Sequence, residues 1–133
     1  MECYLFDLPK VIENVKIDNI NTIEGNFFED IPRLADAIIL SRVLHDWSDE
    51  KAIVILQNCY NALPSNGTLY VIENCADKID IDLSLLSLNM IAICESNERT
   101  SQEYIDLAKK TEFRIKSEIK LNELQTILIF TKQ

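Results

Sequence analysis

Glycine is scarce in this chain, whose 133 residues include only Gly25 and Gly67. Two isolated glycines cannot build a GxGxxG dinucleotide loop or a phosphate-cradling P-loop, because both loops need several glycines in close succession. A nucleotide-like ligand must therefore be held by other residues of this chain, or by residues that the chain lacks.

Positive charge is also in short supply, since 13 Lys and Arg face 22 Asp and Glu and the net charge is −9. This balance disfavours nucleic acid and anionic membrane surfaces as partners. Long apolar runs are absent, and none approaches the roughly 18 residues that span a bilayer. The N-terminus lacks the basic, apolar and small-residue succession of a signal peptide. We expect a cytoplasmic protein.

Paired cysteines and clustered metal ligands are missing as well. The four cysteines are far apart, form no CxxC pair and have only one histidine in the chain to join them. A zinc site needs clustered ligands, so we predict no metal. Each cysteine lies in an apolar segment, which favours buried free thiols in a reducing compartment. These cysteines are Cys3, Cys59, Cys75 and Cys94.

The length predicts one domain over residues 1–133, because 133 residues form one core and are too few for two. Short apolar runs predict strands at 3–6, 20–24, 37–40 and 68–72. Apolar spacing of three and four predicts helices at 49–63, 81–93 and 101–110, with a helical turn at 11–15. Ser48 and Ser101 are the predicted N-caps. Residues 114–121 and 125–131 predict a terminal β-hairpin, and the whole pattern predicts an α/β layered sheet.

Four polar residues follow predicted strands and share one edge of such a sheet: Asp7, Asn26, His45 and Glu73. Ligands of open α/β sheets bind beyond the carboxyl ends of the strands. His45, the only histidine, is flanked by acids and by the only tryptophan, and it is a candidate proton acceptor. The pattern alone leaves two interpretations open, a ligand-binding edge or polar residues that merely end strands.

Several motifs, in order and from end to end of the chain, resemble one family. They are FDLPKVI at 6–12, GNFF at 25–28, ADA at 35–37, VLHDWSDE at 43–50 and ERT at 98–100. They closely resemble the catalytic domain of the S-adenosylmethionine-dependent small-molecule O-methyltransferases, the group of the caffeate, hydroxyneurosporene and acetylserotonin enzymes. The resemblance implies a Rossmann-like class I methyltransferase sheet and methyl transfer to a hydroxyl of a small molecule, with aromatic substrates expected.

The resemblance implies catalytic roles for three residues. His45 matches the general base that takes the proton from the substrate hydroxyl. Glu73 and Glu98 match the two acids that flank and orient this histidine, and a carboxylate beside the imidazole favours the imidazolium that forms.

The resemblance also implies a binding site for S-adenosylmethionine. Asp7 matches the acid that holds the ribose hydroxyls. Phe27 matches the adenine-packing position, and Trp47 lies where a ring can cover the adenine. Arg42 stands at a position whose family counterpart contacts the cofactor. Asn26 stands where the family usually has an Asp that accepts from the adenine amino group, and an amide accepts less strongly.

The sequence departs from the family at its start. The family's glycine-rich loop precedes the ribose acid by about 20 residues, a position before Met1, so the chain is expected to be the C-terminal part of a catalytic domain. The missing strand sits between strands 3–6 and 37–40, which should therefore have unpaired edges. We expect the core to form from the later four strands. Glu95 and Ser96 also replace the family's paired glycines.

Three functions stay open from the sequence. The first is a truncated O-methyltransferase with His45 as base. The second is an inactive remnant that acts as a binding or interaction module, alone or as a homodimer. The third is one half of a split enzyme that a separate N-terminal chain completes. The substrate is not predicted, because the resemblance implies that the residues that recognise it lie largely in the family's N-terminal helical domain, which this chain is expected to lack, and in helix 81–93.

Overall fold

The computed structural model describes residues 3–13, 18–75, 99–122 and 125–132. Within them the chain alternates strands and helices before it ends in a hairpin. The elements are β1 (Cys3–Asp7), α1 (Pro9–Ile12), β2 (Ile20–Glu24), β3 (Ala37–Ser41), a 3-10 turn (Leu44–Asp46), α2 (Asp49–Ala62), β4 (Thr68–Asn74), α3 (Ser101–Lys109), β5 (Phe113–Lys120) and β6 (Gln125–Lys132).

The first part of the chain forms a small parallel sheet of its own. Strands β1 and β2 pair in register from Cys3 opposite Ile20 to Asp7 opposite Glu24, and α1 makes the connection between them. Gly25 follows β2 and lies against the Phe6 ring, so closely that a Cβ atom at this position would overlap the ring. This close approach requires glycine and fixes where the chain leaves β2.

The remaining strands form a second sheet in the order β3-β4-β6-β5. Strand β3 runs parallel to β4, and α2 makes the crossover between them. Strand β6 lies antiparallel to both β4 and β5, with a bulge in β5 between Ile115 and Ser117. The predicted hairpin and α/β class are confirmed, and the hairpin packs against the sheet through its second strand.

The hydrophobic core belongs to the four-stranded sheet and its helices. Its fully buried side chains come from α2, β4, α3, the 3-10 turn and the hairpin, and every buried member of the cluster lies at Leu40 or beyond. Phe27, Phe28 and Ile31 pack on this core from outside. The expectation that the later four strands form the core is confirmed. Its largest members include Leu44, Ile55, Leu56, Leu69, Tyr104, Phe113, Leu128 and Phe130.

Local sequence explains how the two longer helices begin. Ser48 caps α2, and its Oγ accepts from the Lys51 backbone N–H at 3.4 Å. The prediction that Ser101 caps α3 is wrong, because the cap is Thr100. Its hydroxyl accepts from the Glu103 N–H at 3.1 Å, and the Glu103 carboxylate accepts from the Thr100 N–H at 3.1 Å. This reciprocal pair is a capping box. The N-cap is therefore one residue closer to the N-terminus than predicted.

Four strands have an open edge in the described part of the chain, β1, β2, β3 and β5, and two of these edges bear on the expected gap. Strand β1 pairs only with β2 and strand β3 only with β4. On β3, Ile39 remains 65% exposed, unusually high for an isoleucine in a strand. Both edges agree with the expected gap between strands 3–6 and 37–40. The predicted helix at 81–93 and residues Glu95 and Ser96 lie outside the described residues.

Candidate active site

The chain turns sharply at the end of β3 and places His45 beside β4. Arg42, the first residue after the strand, has a φ of 57°, in the left-handed region, and its N–H donates to the Ile72 carbonyl at 2.9 Å. The 3-10 turn Leu44–Asp46 follows at once. Leu44 is buried in the core and anchors the turn, so that the neighbouring His45 is also buried.

His45 and Glu73 form the centre of the site. Strand β4 extends to Asn74, two residues further than predicted, so Glu73 lies within the strand and is fully buried. Its carboxylate Oε1 lies in hydrogen-bond geometry 3.5 Å from His45 Nδ1 and accepts from the His45 backbone N–H at 3.4 Å, while Oε2 lies 3.2 Å from Nδ1 as an ion-pair contact. A carboxylate only accepts hydrogen bonds, so this contact favours the tautomer with the proton on Nδ1. Nε2 then carries the free lone pair.

A second carboxylate contacts the other side of the His45 ring. Asp46 Oδ1 lies 3.0 Å from Nε2, and 44% of the Asp46 side chain is exposed. A neutral imidazole has a single N–H, so both carboxylates can accept from the ring only when it is protonated. Asp46 was not among the predicted site residues, although the sequence places this acid directly after His45.

Arg42 shares Glu73 with His45. Its Nη1 lies 3.6 Å from Glu73 Oε2, the same oxygen that faces His45 Nδ1. This Nη1 is buried and has no hydrogen-bond partner among the described residues. The geometry is that of a long ion pair between a partly exposed guanidinium and a buried carboxylate.

Arg99 holds the turn around His45 in place, a function that the sequence pattern did not reveal. The buried guanidinium donates to the Leu44 carbonyl at 3.0 Å and to the Trp47 carbonyl at 2.7 Å. It also contacts Asp49 Oδ1 at 2.9 Å, at the start of α2. Because its main partners are backbone carbonyls far away in sequence, no spacing rule identifies it. Its only signal was its place in the ERT motif.

The predicted adenine-packing rings form an aromatic cluster. The Phe27 and Trp47 rings meet edge to face with centroids 6.3 Å apart, and Phe28 joins both. The Phe27 carbonyl accepts from Asn58 Nδ2 at 2.7 Å, which attaches this loop to α2. The structure thus brings two predicted binding residues together, and Trp47 lies two residues after His45.

Asp7 and Asn26 lie at the end of the small sheet. Asp7 Oδ1 accepts from the Leu8 N–H at 2.7 Å, and no described residue donates to its other oxygen. Asn26 Oδ1 accepts from the Phe28 N–H at 2.9 Å and closes the turn that carries the two phenylalanines. Among the described residues, no hydrogen bond or ion pair joins either side chain to His45. Glu98, the other predicted acid, lies outside the described residues.

The described part of the chain offers no second candidate site among the predicted residues. A cleft of about 480 Å³ lies at the opposite edge of the large sheet, lined by residues such as Arg33, Asp36 and Lys132, and it contains none of the predicted site residues. In the described ranges, no three His, Cys, Asp or Glu side chains are grouped to hold a metal ion. Over the same ranges, no helix is long and apolar enough to cross a membrane.

The cysteines are divided between buried and accessible positions. Cys59 and Cys75 are buried, as predicted, whereas Cys3 is only half-buried and Cys94 lies outside the described residues. Burial in the core raises the pKa of the Cys59 thiol to about 12. This thiol is therefore structural and takes no part in the site.

Comparison with known proteins gives consistent similarities in sequence. A family model for the O-methyltransferase domain matches residues 1–114. Caffeic acid 3-O-methyltransferase of Medicago sativa is 38% identical over 118 residues, which cover 82% of this chain and 32% of the relative. The chain spans about a third of the length of the curated relatives that it matches.

Solved structures show the same relation in three dimensions. Human N-acetylserotonin methyltransferase in complex with SAM has a TM-score of 0.88 and 32% identity, over 97% of this chain and 40% of that chain. The mitomycin 7-O-methyltransferase MmcR has a TM-score of 0.91 and 25% identity, over 98% and 41%. Because the coverage includes both sheets, the two sheets sit relative to each other as they do in the longer proteins.

Proposed function

Because the chain belongs to the O-methyltransferase domain family, we propose that it carries the proton-accepting half of an S-adenosylmethionine-dependent O-methyltransferase. The substrate in this proposal is a small molecule with a hydroxyl group, and phenols are the expected class, since the Medicago relative is named for caffeic acid. His45 is the general base, and Glu73 orients it.

One observation carries the proposal: a fully buried glutamate directs the only histidine of the chain. The Glu73 carboxylate faces Nδ1, with Oε1 at 3.5 Å and Oε2 at 3.2 Å, which leaves Nε2 as the proton acceptor once Asp46 turns away from it. A general base needs this arrangement, because the proton-accepting nitrogen must be unprotonated and its ring fixed in orientation. When Nε2 takes the substrate proton, the Glu73 carboxylate stabilises the imidazolium.

Asp46 limits access to Nε2 in this proposal. Its carboxylate lies 3.0 Å from Nε2, where a substrate hydroxyl has to approach. The side chain is largely exposed, so it can rotate into solvent at little cost. Substrate binding therefore exchanges an Asp46 contact for a hydroxyl contact at the same nitrogen. Glu98 remains the second acid that the family resemblance assigns to His45.

The residues present fit part of the cofactor. Bound S-adenosylmethionine supplies an electrophilic methyl group on a sulfonium. Asp7 has a carboxylate oxygen left for ribose hydroxyls, and the Phe27–Trp47 cluster has the flat apolar surface that an adenine needs. The buried Arg42 Nη1 without a hydrogen-bond partner among the described residues suits an anionic or carbonyl group. Asn26 offers its amide beside this cluster.

A further segment of protein is part of the proposal. The outer edges of β1 and β3 have no strand partner in the described part of the chain, and Ile39 is exposed on β3. The chain covers about a third of its relatives, and both sheets superpose together on longer proteins. A strand inserted between β1 and β3 would pair both edges. We infer that an N-terminal catalytic segment, or a second copy of this chain, completes the sheet.

Calorimetric titration of the purified chain with S-adenosylmethionine tests cofactor binding. We expect affinity in the micromolar range, on the order of −8 kcal/mol, that Asp7→Ala abolishes. The absence of heat at millimolar cofactor would overturn binding by the isolated chain.

Methyl transfer to phenols, measured with and without an N-terminal segment of a family member, tests the reaction. We expect His45→Gln to lower transfer by about 100-fold or more, in line with the usual contribution of a general base, while cofactor affinity stays unchanged. Transfer that survives His45→Gln would contradict the role of His45. Binding without transfer in any combination would indicate a cofactor-binding module.

A further inference from the structure

We propose that Asn58 is a positioning residue for the cofactor site, because its side chain holds the loop that carries the adenine-packing ring. This loop, residues 25–30, follows β2 and contains Phe27. Asn58 lies on α2 and outside all of the family motifs in the sequence. The inference rests on the proposed binding of S-adenosylmethionine and deepens it.

The loop is closed on itself by hydrogen bonds to Asn26. The side-chain oxygen Oδ1 of Asn26 accepts from the Phe28 N–H at 2.9 Å. The Asn26 carbonyl accepts from the N–H groups of Glu29 and Asp30, at 3.0 and 3.2 Å. These bonds fix the internal shape of the loop within its own sequence. Its orientation on the rest of the molecule needs contacts from elsewhere.

Asn58 supplies a polar contact that orients the loop. The Phe27 carbonyl takes no part in the bonds to Asn26 and accepts from Asn58 Nδ2 at 2.7 Å, across 31 residues of sequence. The contact is partly buried, and a buried carbonyl without a partner would be costly. A hydrogen bond is directional, so this short bond fixes both the distance and the angle between the loop and α2.

The aromatic cluster lies at the same junction. Phe27 and Phe28 meet the Trp47 ring edge to face, with centroids 6.3 and 4.7 Å from it. The Lys51 ammonium of α2 lies 5.4 Å from the centroid of the same Trp47 ring. Centroid distances from about 4.5 to 7 Å satisfy ring pairs of this kind, so the rings alone allow several arrangements. The hydrogen bond from Asn58 selects one position of Phe27 relative to Trp47.

The same loop is also attached to the residue proposed for the ribose. The Gly25 N–H donates to the Asp7 carbonyl at 3.0 Å, where the loop begins. One end of the loop is therefore joined to the strand that carries Asp7, while Phe27 joins the loop to α2. A shift of the loop on α2 changes the separation of the two features that adenosine needs, an apolar surface for adenine and a carboxylate for ribose. Asn58 therefore acts on cofactor affinity through the loop.

Fluorescence of the cofactor-free chain reports directly on this cluster, because Trp47 is the only tryptophan. Asn58→Asp keeps the size of the side chain but replaces the donor with a second acceptor, which repels the Phe27 carbonyl. We expect red-shifted Trp47 emission and stronger quenching by acrylamide than in the wild-type chain. Asn58→Ala removes the donor without adding charge, and it should change the emission in the same direction.

Calorimetry with S-adenosylmethionine measures the consequence for binding, in whichever form of the wild-type chain binds it, alone or with the N-terminal segment of a family member. Loss of the hydrogen bond from Asn58 should weaken the affinity by about 10-fold. The ligand 5′-methylthioadenosine lacks the amino-acid end of the cofactor and reports on the adenosine part alone. Its affinity should fall by the same factor.

Asn61→Asp is the matched control, because it adds the same charge at an exposed position one turn further along α2. Asn61 Oδ1 accepts from Gln57 Nε2 at 3.3 Å, a contact that a carboxylate preserves. The emission and affinity of this variant should equal those of the wild-type chain.

Two results would overturn the proposal. The first is wild-type Trp47 emission and quenching in both Asn58 variants, and the second is a changed emission with wild-type affinity for both ligands. A wild-type chain that binds no cofactor in either form contradicts the proposed function instead. Fluorescence, which needs no ligand, then decides whether Asn58 orients the loop.

Discussion

At the scale of single residues, Glu73 is the most constrained group of the site. It is fully buried and faces two basic side chains, and Arg42 is itself only 28% exposed. Glu73→Gln keeps the volume but leaves the arginine next to an uncharged amide. Removing one partner of a fully buried ion pair costs about 3–5 kcal/mol. Because Arg42 retains access to water, we expect a loss of about 2 kcal/mol in the free energy of unfolding, measured in urea.

The matched control for this variant is Glu118→Gln, on the exposed face of β5. A surface substitution of this kind changes stability by no more than about 0.5 kcal/mol. Equal midpoints for Glu73→Gln and Glu118→Gln would show that the buried carboxylate contributes nothing to the folded state.

Cys59 predicts a dependence of stability on alkaline pH. Burial raises the pKa of its thiol from 9.0 to about 12 in the folded chain. Above pH 9 the unfolded chain loses this proton while the folded chain keeps it, so deprotonation favours unfolding. The free energy of unfolding should fall by up to about 1.4 kcal/mol per pH unit between these two values.

Cys59→Ala removes this titration and serves as the reference, because all other groups are the same in both chains. The difference in unfolding free energy between the two chains should shrink as pH rises above 9. Native-state labelling at pH 8 should also leave Cys59 unmodified and label it in urea. A constant difference between the chains, or rapid labelling without urea, would contradict the buried thiol.

How far the sequence predicts these residues depends on where their partners lie. His45 and Glu73 were predicted because each follows an apolar run and matches a position of the family, and the structure places them 3.2 Å apart. Asp46 and Arg99 were missed for a physical reason. Asp46 acts through a contact with its neighbour's ring, and Arg99 donates to backbone carbonyls more than 50 residues away. Neither contact leaves a spacing pattern.

At the scale of elements, Arg99 joins the start of α3 to the start of α2. Its N–H groups donate to the Leu44 and Trp47 carbonyls on either side of His45. The guanidinium also pairs with Asp49 in the first turn of α2. Arg99→Met keeps much of the apolar stem but removes all of these bonds. A hydrogen bond to a charged group contributes about 1.5–3 kcal/mol, so the two bonds to backbone carbonyls alone predict a loss of about 3 kcal/mol or more.

Urea unfolding measures this loss, and the His45 15N signals should shift at the same time because the turn loosens. Lys109→Met, near the exposed end of α3, is the control and should stay within about 0.5 kcal/mol of the wild-type chain. Unchanged His45 signals in Arg99→Met would mean that the turn holds its shape without the guanidinium.

Element boundaries were predicted better than element partners. The spacing of Thr100 and Glu103 is the sequence signature of a capping box, and it identifies the true start of α3 that the choice of Ser101 missed. The order β3-β4-β6-β5 has no such local signature. It arises because β6 alternates buried and half-buried side chains along its length, whereas β5 is mostly exposed after Phe113. An inner position suits β6 and an edge position suits β5.

At the scale of the whole molecule, the described chain consists of two sheets that differ in how much of their surface is packed against a hydrophobic core. The four-stranded sheet is covered by α2 and α3 and contains the core. In the small sheet, β1 is half-buried along its whole length, β2 exposes most of its residues, and Ile12 is the buried side chain of α1. Two strands alone are marginal in water. The small sheet should therefore open at a lower free energy than the large one.

Native-state hydrogen exchange measures the opening free energy of each sheet residue by residue. We expect the amides of β1 and β2 to exchange through local opening, with protection factors at least about 100-fold lower than those of β4 and β6, a difference of about 2.7 kcal/mol. Adding the N-terminal segment of a family member should raise protection in β1 and β3 together, because an inserted strand pairs both open edges.

Protection in β1 equal to that in β4 without any addition would mean that the small sheet unfolds only with the core. The open edge of β3 would then be a stable feature of the isolated chain, and completion by a further strand would not be needed to stabilise the small sheet.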